Sequence, residues 1–213
     1  MMSDSFETAH GDPHKDSTRD AVLIPVKAFD AAKERLAPVL NRNERIKLAH
    51  LLAKGVLEAA SPLPVAVVCD DADVAQWATD NNAIVVWAPG RGLNVAVESG
   101  VAHLEALGFE QITVCHADLP YPKGLTSLPR LQGVTLVPDR HGDGTNIIVL
   151  PREAGFRFSY GKGSFDRHIE EVKRLGFELH IIQDDDLGLD IDIPEDFALL
   201  DAQTRQWGPE GPH

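Results

Sequence analysis

Cysteine is scarce in this chain. Cys69 and Cys115 are the only two, both lie in apolar runs, and no C-x-x-C spacing occurs. A disulfide framework or a zinc ribbon is excluded on that ground, and two buried free thiols are expected instead. Long apolar runs are absent too, and a membrane span needs about 20 such residues. The first 20 residues are polar, carry Gly11 and Pro13, and lack the apolar stretch of a secretory signal. The expectation is a cytoplasmic protein with loose polar tails at residues 1–20 and 204–213. Positive charge is in deficit: 20 Lys and Arg stand against 33 Asp and Glu, a net charge of -13. A nucleic-acid polymer needs a basic footprint and is not expected as a partner, whereas a single nucleotide needs only a few local cations and a metal. Neither G-x-G-x-x-G nor G-x-x-x-x-G-K is present, so any phosphate would be held by side-chain cations.

Apolar patterning is plentiful. Hydrophobic residues make up 43% of the 213 residues, enough for one sizeable α/β domain over residues 21–203. Short strand-like runs (Ala21–Val26, Val65–Cys69, Ala83–Trp87, Gln111–Cys115, Val134–Val137, Ile147–Leu150, Glu178–Ile182) alternate with helical repeats. Asn43–Ala60 reads as a helix with Asn41 and Glu44 placed for a capping box. Asp70–Asp73 caps a short helix through Asp80, and Leu93, Val97, Val101 and Leu104 stripe a long one that Gly108 ends. Phe165–Leu175 is a further helix, and Pro194 starts a last one running to about Gln203.

Chemistry concentrates at the strand ends. In Leu189-Asp190-Ile191-Asp192-Ile193-Pro194 the alternation puts Asp190 and Asp192 on one face if the segment is extended. Two carboxylates so placed suit a divalent cation; the plain alternative is a solvated acidic turn. Asp118 follows the strand ending at Cys115, the position at which open α/β sheets bind ligands, and is the candidate third carboxylate. His116 reads as packing. After the first strand, Lys27, Lys33 and Arg35 offer cations to a triphosphate, or else are solvated. Pro89-Gly90-Arg91-Gly92-Leu93-Asn94 is either a close-approach loop, with Asn94 toward a ligand, or an ordinary turn and cap. The loop from Pro138 to Asn146 suits a hairpin turn or a cradle in which backbone amides and Thr145 hold an anion. Gly161-Lys162-Gly163-Ser164 opens a helix whose N-terminus could take a phosphate, with Ser164 as its N-cap.

Taken in order, Val26-Lys27 with Ala32-Lys33-Glu34-Arg35-Leu36, Ala117-Asp118-Leu119-Pro120, Asp139-Arg140 with Gly144-Thr145-Asn146, Gly161-Lys162-Gly163-Ser164-Phe165 and Leu189-to-Asp196 resemble the guanylyltransferases of coenzyme F-420 biosynthesis. The resemblance spans about Val22 to Leu200. It implies a single-domain nucleotide-diphospho-sugar transferase-like fold (Rossmann-like), with a mostly parallel central sheet flanked by helices. It implies GTP and Mg²⁺ as partners, with Lys27, Lys33, Arg35 and Asn94 on the nucleotide side and one or two metal ions on Asp118, Asp190 and Asp192. It implies a three-carbon phospho-acid acceptor (phosphoenolpyruvate, 3-phospho-D-glycerate or 2-phospho-L-lactate) held by Thr145, Gly161 and Ser164. Ile193 departs from the small hydroxyl residue that members often carry before the proline. An acceptor phosphate is already largely dianionic at neutral pH, so no general base is required. Charge neutralisation by metal and by Lys27, Lys33 and Arg35 is the main demand. Two alternatives stay open at this point: a metal-dependent glycosyltransferase and a non-catalytic GTP sensor. Oligomeric state is open too, a homodimer included.

Overall fold

The computed structural model describes residues 19–90 and 92–200. The expected tails lie outside those residues apart from Arg19 and Asp20, as does Arg91. Seven strands form one sheet: β1 (Asp20–Pro25), β2 (Val65–Cys69), β3 (Ile84–Trp87), β4 (Gln111–Cys115), β5 (Val134–Pro138), β6 (Thr145–Pro151) and β7 (Leu179–Ile181), in the order β3-β2-β1-β4-β6-β5-β7. All pairings are parallel except the two made by β6, which runs antiparallel to both β4 and β5. Strand order reverses between β1 and β4, and a doubly wound sheet opens a crevice beyond the strands' carboxyl ends at such a switch point.

Alternation within each strand sends side chains to two cores. Val22 and Ile24 of β1, Cys115 of β4, and Ile147 and Val149 of β6 join Ala49, Ala53 and Val56 of α1 (Arg42–Ala59) and Val74 and Ala78 of α2 (Ala72–Asp80) on one face. Ala21, Leu23, Ile112, Val114, Ile148 and Leu150 meet Val97 and Leu104 of α3 (Gly92–Ala106) and Val172 of α4 (Ser164–Leu175) on the other. Gly100 lets α3 lie against β1: a Cβ there would come within 2.6 Å of the Leu23 side chain, which is itself fully buried. A third cluster, Leu36, Leu40, Leu48, Leu52, Leu189, Ile191 and Leu200, pins the C-terminal segment to α1.

Local signals account for most element ends. Asn41 accepts from Glu44 N–H while the Glu44 carboxylate accepts from Asn41 N–H, closing the expected capping box. Asp71 caps α2 through Val74 N–H. Three expectations need correction. Helix α4 begins at Ser164, and its N-cap is Gly163 in the left-handed region (φ 70°), so Ser164 does not cap it. The last helix, α5, covers only Pro194–Phe197, and residues 201–203 of its expected extent lie outside the described residues. Strand β7 is shorter than the apolar run that marked it. Among the described residues no helix is long and apolar enough to cross a membrane.

Candidate active site

The carboxyl ends of β1 and β4 floor a cavity of about 310 Å³, lined by Lys27, Lys33, His116, Asp118 and Asp192 together with apolar residues from α1 and α3. A second cavity of about 230 Å³, toward the ends of β2 and β3, shares Pro25, Val26, Lys27, Ala31 and Leu93 with it and adds Cys69, Asp70 and Ala88. The two cavities adjoin along those shared residues at the switch point.

Asp118, Asp190 and Asp192 each place a carboxylate oxygen within 4.8 Å of the other two. Asp118 reaches the site because β4 ends at Cys115 and the chain turns over His116 and Ala117. Asp190 and Asp192 arrive on an extended segment whose intervening residue, Ile191, is fully buried and whose neighbour Leu189 is nearly so. That segment is tied to the β4 end by Ile191 N–H donating to the Asp118 carbonyl at 3.2 Å. Asp196, almost fully buried, accepts from the N–H groups of both Asp192 and Ile193 at 3.0 Å and takes a two-pronged contact from Arg140 (2.6 and 3.0 Å). It supplies the cap that Ile193, lacking a hydroxyl, cannot. The acidic run Asp184–Asp186 stays exposed and closes a local turn through the Asp184 carboxylate, outside the site.

Lys33 enters the cluster from the loop after β1, with its backbone in the left-handed region (φ 58°). For a residue with a Cβ this conformation costs about 1–2 kcal/mol. Its ammonium donates to Asp118 Oδ2 at 2.8 Å and to Asp192 Oδ1 at 3.2 Å, and its side chain is only 8% exposed. Burial opposes the ammonium charge, but the two carboxylates outweigh it and hold the Lys33 pKa above its ordinary value. Burial likewise opposes ionisation of Asp118, yet Lys33 and then His116 keep that carboxyl below the usual range. Asp190 has no such partner: burial, then Asp118, Asp192 and Asp139, push it up to about 7. Arg35 is exposed and stands 4.0 Å from Asp192. Lys27 lies at the seam of the two cavities.

The remaining candidates lie elsewhere. Thr145, Gly161, Ser164 and Asn94 line neither cavity. Asn94 Oδ1 accepts from Tyr160 N–H at 2.7 Å, which fastens α3 to the chain before α4. The loop between β5 and β6 is a hairpin connection, and its amide cradle is filled from within: Asp139 accepts from His141, Asp143 and Gly144 N–H. Gly144 is required there, because a Cβ would sit 2.6 Å from the Asp139 carboxylate. The N-terminus of α4 is occupied in the same way. Gly163 N–H donates to Asp143 Oδ2, Phe165 N–H to the Asp143 carbonyl and Ser164 N–H to the Gly161 carbonyl. Of the amides at the start of α4, the Asp143 carboxylate thus takes only that of Gly163, and backbone carbonyls take those of Ser164 and Phe165. Thr145 and Ser164 are 1% and 2% exposed.

Three residues to which sequence reasoning gave no site role support or line the site. Asp196 and Arg140 were missed because their pairing spans 56 residues and no local pattern marks it. His116 was read as packing, but it lines the larger cavity, and its Nε2, like Asp118 Oδ1, is a buried polar atom without a partner among the described residues. Burial pushes its imidazole below the ordinary value.

The fold falls in a known class. A Desulfovibrio desulfuricans protein assigned as a nucleotide-diphospho-sugar transferase superposes with a TM-score of 0.71 over 88% of each chain at 17% identity, a likeness of fold. The profile described as "Guanylyl transferase CofC like" matches residues 20–202, and the chain belongs to that family of nucleotidyltransferase enzymes. A phosphoenolpyruvate guanylyltransferase of Conexibacter woesei is 35% identical over 84% of this chain and 85% of its own length. A 2-phospho-L-lactate guanylyltransferase of Methanocaldococcus jannaschii is 26% identical over 84% and 80%.

Proposed function

We propose that this chain transfers GMP from GTP to the phosphate of a three-carbon phospho-acid, releasing pyrophosphate, in coenzyme F-420 biosynthesis. Phosphoenolpyruvate is the favoured acceptor, because relatives bearing that name are nearer in sequence than those named for 2-phospho-L-lactate; 3-phospho-D-glycerate is the third acid to test. The observation that carries the reading is the convergence of Asp118, Asp190 and Asp192 at the switch point, where Asp118 and Asp192 line the larger cavity and Lys33 bridges them.

The donor set fits a hard cation. Three carboxylates converge, one oxygen of Asp118 is buried without a partner, and Mg²⁺ prefers such oxygens beside a substrate's phosphates. Bound there, Mg²⁺ would screen the α-phosphate and align attacking and leaving oxygens. The chain's own residues do the rest. Lys27 and Lys33 line the larger cavity and Arg35 stands beside Asp192; in this reading they offset the charge of the departing pyrophosphate. The smaller cavity by Cys69, Asp70 and Ala88 is left for the base and ribose. The acceptor phosphate attacks as its own dianion, so none of these residues has to take a proton.

The test is incubation with GTP, Mg²⁺ and each acid separately, with mass analysis of products and a pyrophosphate assay. Guanylylated acid plus pyrophosphate is expected from the wild type, and none from Asp190→Asn, whose circular dichroism stays native. Undiminished pyrophosphate release by that variant sinks the assignment. Release of a nucleoside diphosphate with sugar transfer would instead mark a glycosyltransferase, and GTP binding without turnover a sensor.

A further inference from the structure

Asp70 directly follows β2 and lines the smaller cavity. The acidic run it opens is split in two by the fold. Asp71 caps α2 through Val74 N–H, whereas Asp70 is exposed, and its carboxylate has neither a hydrogen bond nor an ion pair among the described residues. Of the side chains around this cavity only Lys27, Cys69 and Asp70 are polar. Lys27 is shared with the larger cavity, and Cys69 is almost fully buried. The backbone amides of Val26 and Ala88 are already spent on the Val68 and Cys69 carbonyls, at 3.0 and 2.9 Å. Val26, Val68, Ala88 and Leu93 make most of the remaining wall apolar. The result is an apolar cavity with one unpaired carboxylate.

A carboxylate offers two acceptor oxygens and no donor, and it binds best to two N–H groups taken side by side. Among the common bases guanine alone presents such a pair, N1–H and the 2-amino group. Adenine and cytosine put a bare ring nitrogen in the middle of that edge, and uracil sets one N–H between two carbonyls. The placement suits a nucleotide as well. Strands β4, β1 and β2 are neighbours in that order, so the ends that lead to Asp118 and Asp70 are two strand spacings apart, about 10 Å. The edge of a base lies about as far from its own α-phosphate. We propose that Asp70 selects guanine, its carboxylate accepting from N1–H and the 2-amino group of the bound nucleotide. The inference rests on the guanylyl-transfer reading above and gives its nucleotide preference a residue.

Base analogues test the pair one bond at a time. With wild type first shown to guanylylate one of the acids, kcat/KM is measured for GTP, ITP and XTP at saturating acceptor and Mg²⁺. ITP lacks the 2-amino group, and XTP carries a carbonyl in its place. Wild type is expected to prefer GTP to ITP roughly tenfold, the scale of one hydrogen bond to a charged group, and to prefer it to XTP by more. Asp70→Asn keeps an oxygen for N1–H and offers an amide N–H to the carbonyl of XTP. Its GTP-to-XTP ratio should fall about a hundredfold or more, with acceptor KM within about twofold of wild type. Asp70→Ala removes both acceptors and should bring GTP and ITP within about twofold of each other. Native circular dichroism shows that each variant is folded, as expected for an exposed side chain without partners. Equal use of GTP and ITP by the wild type overturns the inference. So does a folded variant that keeps the wild-type ratio, the outcome of a plain charge at a helix start. Either result leaves the guanylyl-transfer reading standing. Failure of the wild type to release pyrophosphate from GTP with any of the three acids is the separate failure of that reading.

Discussion

Asp190 keeps a proton that an ordinary aspartate would have lost. Burial and three neighbouring carboxylates push it up to about 7, with only Lys33 pulling the other way, against about 3.9 for an unfolded aspartate. Between those values the folded chain binds a proton that the unfolded chain releases. The stability due to this group is thus fully present below about pH 4 and declines as the pH rises to about 7. His168 has the opposite sign. Its folded value of about 4 lies below the ordinary 6.5, so its contribution is present above about pH 6.5 and is lost as the pH falls toward 4. The two slopes overlap and mask each other in the whole-protein profile, but Asp190→Asn isolates one of them. In metal-free protein the stability of Asp190→Asn relative to wild type should rise from about pH 4 to about pH 7 and then level off. Denaturant midpoints of both proteins at pH 5 and pH 8 check this, and an identical gap at the two pH values contradicts it. The same proton competes with a cation, so apparent Mg²⁺ affinity should weaken about tenfold per pH unit below 7.

At the scale of the element, the segment from Leu189 to Phe197 works as a clamp. Its inward face was legible in the sequence, since Leu189 and Ile191 alternate with the two aspartates and a strict alternation can bury only one face. What fastens it was not legible. Asp196 looks like an ordinary acidic residue in a first helical turn, yet it is 4% exposed, pairs with Arg140 and caps two amides of the metal-candidate segment. The start of α4 shows a similar limit. Residue preference favours serine over glycine as a cap, but Asp143, reaching across from the β5–β6 loop, satisfies the Gly163 and Phe165 amides and leaves Ser164 inside the helix. Asp196→Ala removes the partner of a partly buried guanidinium together with a cap, and should cost roughly 2–4 kcal/mol. It should also loosen Asp190 and Asp192, which lie on the segment it caps. Urea unfolding and Mg²⁺ titration of the variant measure the two effects, and unchanged metal affinity in the folded protein would show that the clamp serves stability alone.

For the whole molecule, the strands and most helices could be read from apolar periodicity, but the order of the sheet could not. The hairpin signal at Pro138–Asn146 marks β6 as antiparallel to β5, but nothing local announces that β6 also pairs with β4, or that β1 and β4 lie side by side. The site depends on that order, because it is assembled from segments far apart in the chain: Lys33 bonds Asp118 and Asp192 across separations of 85 and 159 residues. Lys33 is thus a tie for the tertiary structure as well as a candidate phosphate ligand, and it competes with a cation for the same oxygens. Lys33→Met should destabilise the metal-free protein by roughly 2–3 kcal/mol. That is below the 3–5 kcal/mol of a fully buried pair because Asp192 is 48% exposed. Mg²⁺ would then meet three carboxylates with no resident ammonium among them, and ligand binding to the folded state alone raises stability by mass action. The rise in Tm on adding Mg²⁺ should therefore be larger in Lys33→Met than in wild type, and thermal melts of both with and without MgCl₂ measure it. Equal rises would mean that the ammonium and the cation do not share the cluster. A larger rise in the variant would mean that the three segments are held together by positive charge at this point, from the lysine alone or from the metal that replaces it.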